Sequence, residues 1–582
     1  MTTQPRNNVS NVLVIGAGAA GLRAAIAAHE AGADVVVIGK SRRGDAHTVL
    51  AAGGINAALG TVDPEDTWQQ HFADTFKEGY RLPDPRVVEI MAREAPRAIH
   101  ELAEWGCPFA RTEHGEIDQR FFGAHKSRRT CYAGDYTGRA ILSTLEDRVA
   151  KLGIPVRDNQ YVFRLLTQDG RCFGAFAFDV GSGLRTVFLA DAVVLATGGH
   201  TRLWHRSSSR RDENTGDGML LALEAGCRLA DMEFVQFHPS GIVAPEDLAG
   251  TLVTEAVRGE GGRLYNALGE RFMERYDPER MELSSRDRVA LANFTEIDQG
   301  RGTPNGGVYL DITHLDKAHI LEKLPRMYRQ FVEIQLLDIS REPMEVAPTA
   351  HYSMGGIVVE PETHATSVEG LYAAGEVTTG LHGANRLGGN SLSETVIFGR
   401  RAGEAAAAFS ASRDVQPRSR RTIQQANDQL VGYIREGDVF ARQLQRALRN
   451  TMSECCGVVR NETRLNQGRE RLAEIRAAAK TVDVSPTSEG YGDLAHALDL
   501  RASLVAAEAT ILGAIARRET RGAHNRSDYP ELDPTLEVNF VTTRNGDGQL
   551  TVTSEPVRAV PAHLAAWAVL AEVHEVTGRL LE

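Results

Sequence analysis

The run Gly16-Ala17-Gly18-Ala19-Ala20-Gly21 places three glycines in a GxGxxG spacing. The first glycine of such a spacing makes a tight turn, the second lets backbone approach a pyrophosphate, and the third packs a helix against a strand. A helix opened in this way turns its N-terminal amides and the positive end of its dipole toward phosphate. The motif alone implies a dinucleotide and no more. An NAD site adds an acidic residue at the end of the second strand to bind the ribose. Here that stretch reads Ile38-Gly39-Lys40-Ser41, so NAD loses its main support. Two further glycine turns, Ala196-Thr197-Gly198-Gly199 and Ala373-Ala374-Gly375-Glu376, end other apolar runs.

An alternation of strands and helices must position these turns. Residues 11–15 read as a buried strand, the Ala-rich stretch to about 31 as a helix, and 34–38 as a second, β-branched strand, the opening of a parallel α/β unit. Strand signals return at 192–196 and 371–374, and an apolar helix follows over 391–409. Between them polar motifs alternate with irregular stretches, as in a covering domain inserted into a discontinuous first domain. The expected divisions are 1–231 and 354–414 for the two parts of the α/β domain and 232–353 for the inserted cap. A helical domain is expected over 415–525, with long amphipathic helices near 422–450, 464–480 and 494–518 and nothing catalytic in it. A small C-terminal region, 526–582, carries a possible hairpin near Asn545-Gly546 and a terminal helix.

Composition narrows the class. A chain of 582 residues suggests about three to four domain-sized units. The net charge of −12 argues against nucleic acid as a partner, and the basic run 418–421 reads as a solvated loop. Six scattered cysteines form no CxxC, CxxCH or zinc-type spacing, so no metal, iron–sulfur or c-type haem site is expected. Reduced, mostly buried thiols of a cytosolic protein are expected instead. No run approaches the roughly 18 apolar residues of a membrane span, and residues 1–10 lack the apolar core of a signal peptide. The expectation is a chain that is cytoplasmic by itself and meets a membrane only through a partner.

Further motifs follow in order. They are Ala46-His47-Thr48 with Gly53-Gly54, Thr215-Gly216-Asp217-Gly218, Gln236-Phe237-His238-Pro239 and Thr254-Glu255-Ala256-Val257-Arg258-Gly259-Glu260-Gly261. Arg286-Asp287, His351-Tyr352-Ser353-Met354-Gly355-Gly356, the run from His382 through Arg386 to Ser391, and Arg521-Gly522-Ala523-His524 complete the set. Over roughly residues 11–530 the chain resembles the flavoprotein subunits of succinate dehydrogenases and fumarate reductases. The resemblance implies a Rossmann-like, glutathione-reductase-type FAD-binding α/β domain with an inserted capping domain, plus a C-terminal helical domain. It assigns FAD contacts to Gly16, Gly18, Gly21, Lys40, His47, Thr48, Gly53, Gly54, Thr197, Gly198, Asp217, Glu376, Asn390, Ser391 and Leu392.

The resemblance also implies a small dicarboxylate substrate. Arginine pairs carboxylates bidentately, which makes Arg386 a candidate for one of them. His238 and His351 fall on the family's other substrate positions, the hydroxyl of Thr254 can also donate a hydrogen bond to the substrate, and Phe122 would by the same resemblance pack against substrate and flavin. The reaction moves a hydride between substrate and flavin N5 and a proton between the neighbouring carbon and an enzyme group. The resemblance gives that proton to Arg286, with Glu255 and Arg258 as its relay.

His47 separates relatives. In the membrane-associated members a histidine at this place is bonded to the flavin 8α-methyl, whereas the similar L-aspartate oxidases lack it. The expectation is FAD held covalently through His47. The chain departs from the family at Ala46 and Ala52, where serine and a glutamine or glutamate are usual, and the loss at Ala52 leaves the direction of reaction open. The implied partners are an iron–sulfur subunit, with membrane anchor subunits beyond it that exchange electrons with quinone, on the cytoplasmic side of the membrane. Competing readings are a fumarate reductase run in reverse, an L-aspartate oxidase-like enzyme, a fumarate reductase working alone and a non-catalytic FAD scaffold.

Overall fold

The computed structural model describes residues 5–42, 44–413, 418–487 and 490–569. Strand β1 (Arg6–Ile15) is wholly buried over Val12–Ile15 and runs into Gly16, whose φ of 118° belongs to the left-handed half of backbone space. Helix α1 (Ala19–Glu30) follows, then β2 (Val35–Ile38). A side chain at Gly21 would meet the carbonyl oxygen of Gly16 at 1.9 Å, so the third glycine packs helix on strand. β1 starts five residues before the expected run: its polar first half, exposed to solvent, pairs in register with Thr186–Ala190.

The main sheet has seven strands, ordered Val156–Arg157, β2, β1, Arg185–Leu195, Arg171–Asp179 and Gln160–Gln168, with Leu371–Ala373 also on Arg185–Leu195. The long strand Arg185–Leu195 changes neighbour along its length. Its first half pairs antiparallel with Arg171–Asp179, and its last residues pair parallel with Leu371–Ala373. The helix Asn390–Ala411 then crosses α1 closely: side chains at Gly399 and Gly403 would meet the carbonyl oxygens of Ala20 and Ala24 at 2.5 and 2.1 Å.

Between these parts lies a second unit with its own core. Its four-stranded antiparallel sheet runs Val235–Ile242, Met344–Ser353, Val308–Asp311, Arg263–Tyr265. The apolar cluster beneath it is drawn from residues 242–346 alone. Helix Arg286–Glu296 packs on the edge strand.

The helical region differs from expectation in two ways. The helix expected over 422–450 is two helices, Arg420–Val431 and Ala441–Cys455. Gly432 and Gly437 break it, and Gly437 lies so close to Thr481 O that a side chain there would stand 2.2 Å away. The helix Gly492–Ala516 is not amphipathic but buried around most of its circumference, packed on Ala441–Cys455, Glu462–Ala478 and Asp217–Ala225. Buried Arg517, bonded to Glu233 (2.8 Å) and Glu519 (2.9 Å), ties its end to the rest. The hairpin at Asn545-Gly546 forms between Val538–Arg544 and Leu550–Pro556, and it extends a sheet with Leu229–Ala230 and Gly356–Ile357. Ala565–Val569 is helical, and the rest of the expected terminal helix lies outside the described residues.

Because Gly403 faces backbone across the helix crossing, Gly403→Ala is expected to destabilise the protein by about 2 kcal/mol, the typical penalty of overpacking. A lowered thermal midpoint of the FAD-loaded protein checks it.

Candidate active site

Parallel strands that end side by side leave a crevice at their carboxyl ends. Here the ends of β1, Arg185–Leu195 and Leu371–Ala373 deliver Gly16, Thr197-Gly198 and Glu376 to one long cleft. α1 opens on it at Gly18 with no side-chain cap and no acid in its first turn, as an anion-binding helix end would. Beyond β2, the Lys40 ammonium lies 2.6 Å from Asp499 and 3.6 Å from Asp217. Burial works against its charge, but the two carboxylates outweigh it and raise its pKa. Burial in turn pushes Asp499 up to about 6, even beside Lys40. Gly53 and Gly388 flank the Phe122 ring, which would stand 2.5 and 2.6 Å from side chains at those positions.

The inserted unit supplies the far end. Arg286, first residue of its helix, donates from Nε to Glu255 at 2.7 Å and from Nη1 to Gln236 at 3.2 Å. The Gln236 amide nitrogen donates to Asn385 Oδ1 (2.7 Å) and to the Arg386 carbonyl (2.8 Å), so one side chain spans both arginines. Arg258 approaches Glu255 at 3.8 Å from behind. Burial alone would neutralise Glu255, yet Arg286 and Arg258 hold its pKa down at about 2.

His238 and His351 face each other with ring centroids 5.3 Å apart. The edge strand skips from the Gln236–Tyr352 pair to Phe237–Ala350, leaving His351 unpaired in a bulge that turns its side chain to the cleft. Its Nδ1 is 2.9 Å from Ser208 Oγ. Burial first, then the arginines, depress both imidazoles well below their usual range, so both are neutral. Arg386 lies over the Tyr352 ring at 4.2 Å and donates Nη1 to Ser391 at 2.8 Å. Its Nε and Nη2 are buried without a hydrogen-bond partner. Burial and then Arg286 lower its pKa to about 9.

At the middle of the cleft His47 begins a short helix, with Nδ1 3.5 Å from a Glu213 carboxylate oxygen. Burial opposes its charge, but Glu213 and then Glu376 outweigh that and raise its pKa. The groove fits FAD: glycine turns and the α1 N-terminus, whose Ala19 amide meets Thr48 Oγ1 at 3.2 Å, suit the diphosphate, and Lys40, His47 and the buried, orphaned hydroxyl of Thr197 line the rest.

Of the residues singled out in the sequence, the cleft is lined by Gly16, Gly18, Lys40, His47, Thr48, Gly53, Gly54, Phe122, Thr197, Gly198, Asp217, His238, Thr254, Glu255, Arg286, His351, Glu376, Arg386, Ser391 and Leu392. Three are not on its wall. Gly21 packs α1 on the first turn, Arg258 stands behind Glu255, and the Asn390 side chain bonds Asn56, His71 and Thr75 instead. Sequence reasoning passed over Ser208, Glu213, Asn214, Tyr352 and Asp499. Glu213 and Asn214 directly precede the quoted Thr215-Gly216, and Tyr352 lies inside a quoted motif. Asp499 had no signal, because its helix looks like packing alone.

Comparison with known proteins bears on this geometry. The family model described as an FAD binding domain matches residues 11–392, and that described as the fumarate reductase flavoprotein C-terminus matches 445–567. One component of the fumarate reductase (CoM/CoB) of Methanothermobacter marburgensis is 42% identical over 93% of this chain and 98% of its own. The succinate dehydrogenase flavoprotein subunit of Rickettsia conorii is 40% identical over 95% and 97%. The solved structure of Mycobacterium smegmatis Sdh1 in complex with UQ1 superposes with a TM-score of 0.89 at 38% identity, covering 98% of each chain.

The depressed Glu255 pKa sets a stability window. A carboxylate held near 2 contributes stability fully above its ordinary range, near 4.5, and loses it as pH falls toward 2. Arg258→Met removes one of its two guanidinium partners. The variant is expected to lose about 3–5 kcal/mol at neutral pH and to begin acid unfolding at higher pH than the parent, as read by denaturation at several pH values.

Proposed function

Because the chain belongs to the succinate dehydrogenase and fumarate reductase flavoprotein family, we propose that it is the flavoprotein subunit of a succinate dehydrogenase, interconverting succinate and fumarate on covalently attached FAD. FAD-dependent oxidoreductase chemistry comes with the family. The observation that carries the substrate is Arg386, whose buried guanidinium keeps two nitrogens unpaired in the same cleft as Arg286. A buried, unsatisfied cation calls for a desolvated anion, and a carboxylate fits its fork.

When bound, FAD supplies a hydride acceptor at N5. The chain's part is to hold the dianion, exclude water and manage one proton. Arg386 pairs one carboxylate. Neutral His238 and His351 and the Thr254 hydroxyl offer hydrogen bonds to the other, with Phe122 packed against the carbon skeleton. Arg286 has Nε on Glu255 and Nη1 on Gln236, which leaves Nη2 to exchange a proton with the substrate carbon. Glu255, ionised and backed by Arg258, stabilises the guanidinium and relays the proton.

Electrons leave the flavin for an iron–sulfur subunit, with a membrane anchor beyond it that handles quinone and the complex on the cytoplasmic side of the membrane. No helix among the described residues is long and apolar enough to cross a membrane. The reverse reading, fumarate reduction, is supported by the 42% identical relative named a fumarate reductase. Rates measured in both directions with artificial electron carriers separate the two, and turnover of aspartate in preference to succinate would favour an oxidase instead.

Arg286→Ala is expected to lower turnover by about 10³-fold with little change in KM, the loss typical of a removed acid–base group. Unchanged turnover would overturn its role. Acid precipitation of the purified protein is expected to leave the yellow colour with the pellet; free FAD in the supernatant would overturn the His47 link.

A further inference from the structure

The geometry points to Glu213 as a positioning residue for the attachment of FAD to His47: its carboxylate stands on the Nδ1 side of the imidazole, where it can take up that nitrogen so that Nε2 bonds the flavin. This rests on the proposed covalent link and adds the group that prepares it. A Glu213 carboxylate oxygen lies 3.5 Å from Nδ1, an ion-pair distance, and Nδ1 is buried with no other hydrogen-bond partner to compete for it. A carboxylate at one imidazole nitrogen fixes the tautomer, directs the lone pair of the other nitrogen outward and stabilises the cation formed when that nitrogen is alkylated.

The placement of Glu213 is built into the fold. Its neighbour Asn214, at φ 50°, accepts from the Gly199 amide (3.1 Å) and donates to Ser209 (3.1 Å) and Glu376 (3.3 Å). That pins the loop to two of the three strand ends. The same Glu213 oxygen that faces His47 accepts from the Arg210 amide at 3.4 Å, and the other lies 3.7 Å from the Arg210 guanidinium. Arg210 also grips Asp45, two residues before His47, through both its carbonyl and its side chain. Both sides of the contact are therefore held by one arginine.

The step balances within the enzyme's own chemistry. One C–H of the flavin ring methyl and the imidazole N–H break, and a carbon–Nε2 bond forms. The proton on Nδ1 leaves beside Glu213. Two protons and two electrons end on the flavin, which is thereby reduced, and an unsaturated dicarboxylate such as fumarate reoxidises it.

The test measures covalent and total flavin separately in purified Glu213→Gln, Glu213→Ala and Glu213→Asp, by fluorescence of the acid-denatured polypeptide against total flavin content. Total flavin is expected to stay near the parent value. The covalent fraction formed per unit time should fall roughly tenfold or more in Glu213→Gln and Glu213→Ala, the usual loss for a carboxylate that orients a histidine, with partial recovery in Glu213→Asp. If Glu213→Ala fails to fold, the near-isosteric Glu213→Gln decides alone. A parent-like covalent rate in Glu213→Gln overturns the role of Glu213. A parent protein with no covalent flavin overturns instead the His47 link on which it rests.

Discussion

One glutamine amide joins the two arginines on which the cleft depends. Gln236 accepts from Arg286 with its oxygen and donates with its nitrogen to the backbone of Arg386 and to Asn385. Asn385 in turn donates to Asp287 at 2.9 Å, beside Arg286 on the same helix. Arg286 belongs to the inserted unit, and Arg386 to the returning part of the α/β domain. The span between two guanidinium groups is thus fixed by a closed ring of neutral amides and one carboxylate rather than by the arginines themselves, which repel. Buried like charges at such a site stay charged only where other contacts hold them. Glu255 pairs with Arg286 at 2.7 Å, and Arg386 lies over the face of Tyr352.

How far the sequence revealed this depends on the range of the interaction concerned. The glycine turn, β2 and the returning strand at 371–373 were legible because turn chemistry and apolar periodicity are local. The cleft-lining residues carried over from the family motifs are collected by the structure around one cleft, which no spacing alone could have predicted. The expected helix over 422–450 concealed its break because Gly432 and Gly437 sit in an otherwise helical pattern, and the break is enforced by a distant strand, Val482–Asp483. Asn390 shows the reverse error: its motif is correctly placed, but its side chain is committed to a buried network behind the cleft.

The helical domain was expected to be bland and is not wholly so. From the middle of the buried helix Gly492–Ala516, Asp499 takes the shortest contact of Lys40, which lines the groove, with the Tyr161 hydroxyl 3.0 Å away. Since Lys40 and Asp499 come from distant parts of the chain, this contact forms only once the helix Gly492–Ala516 shares its apolar core with the main sheet. A residue of this kind has no sequence signature, because its chemistry comes from what lies 459 positions away.

The long strand Arg185–Leu195 has a consequence for the order of events during synthesis. Its final neighbour, Leu371–Ala373, and the helix that crosses α1 are made only after the whole inserted unit. A chain emerging from the ribosome can pair β1 with Arg185–Leu195 early, but it cannot complete the cofactor groove until well past residue 390. The inserted unit, with a core of its own, is free to fold while the groove waits. Maturation with the cofactor is therefore a late event, set by contacts of very long sequence separation, which are slow to form.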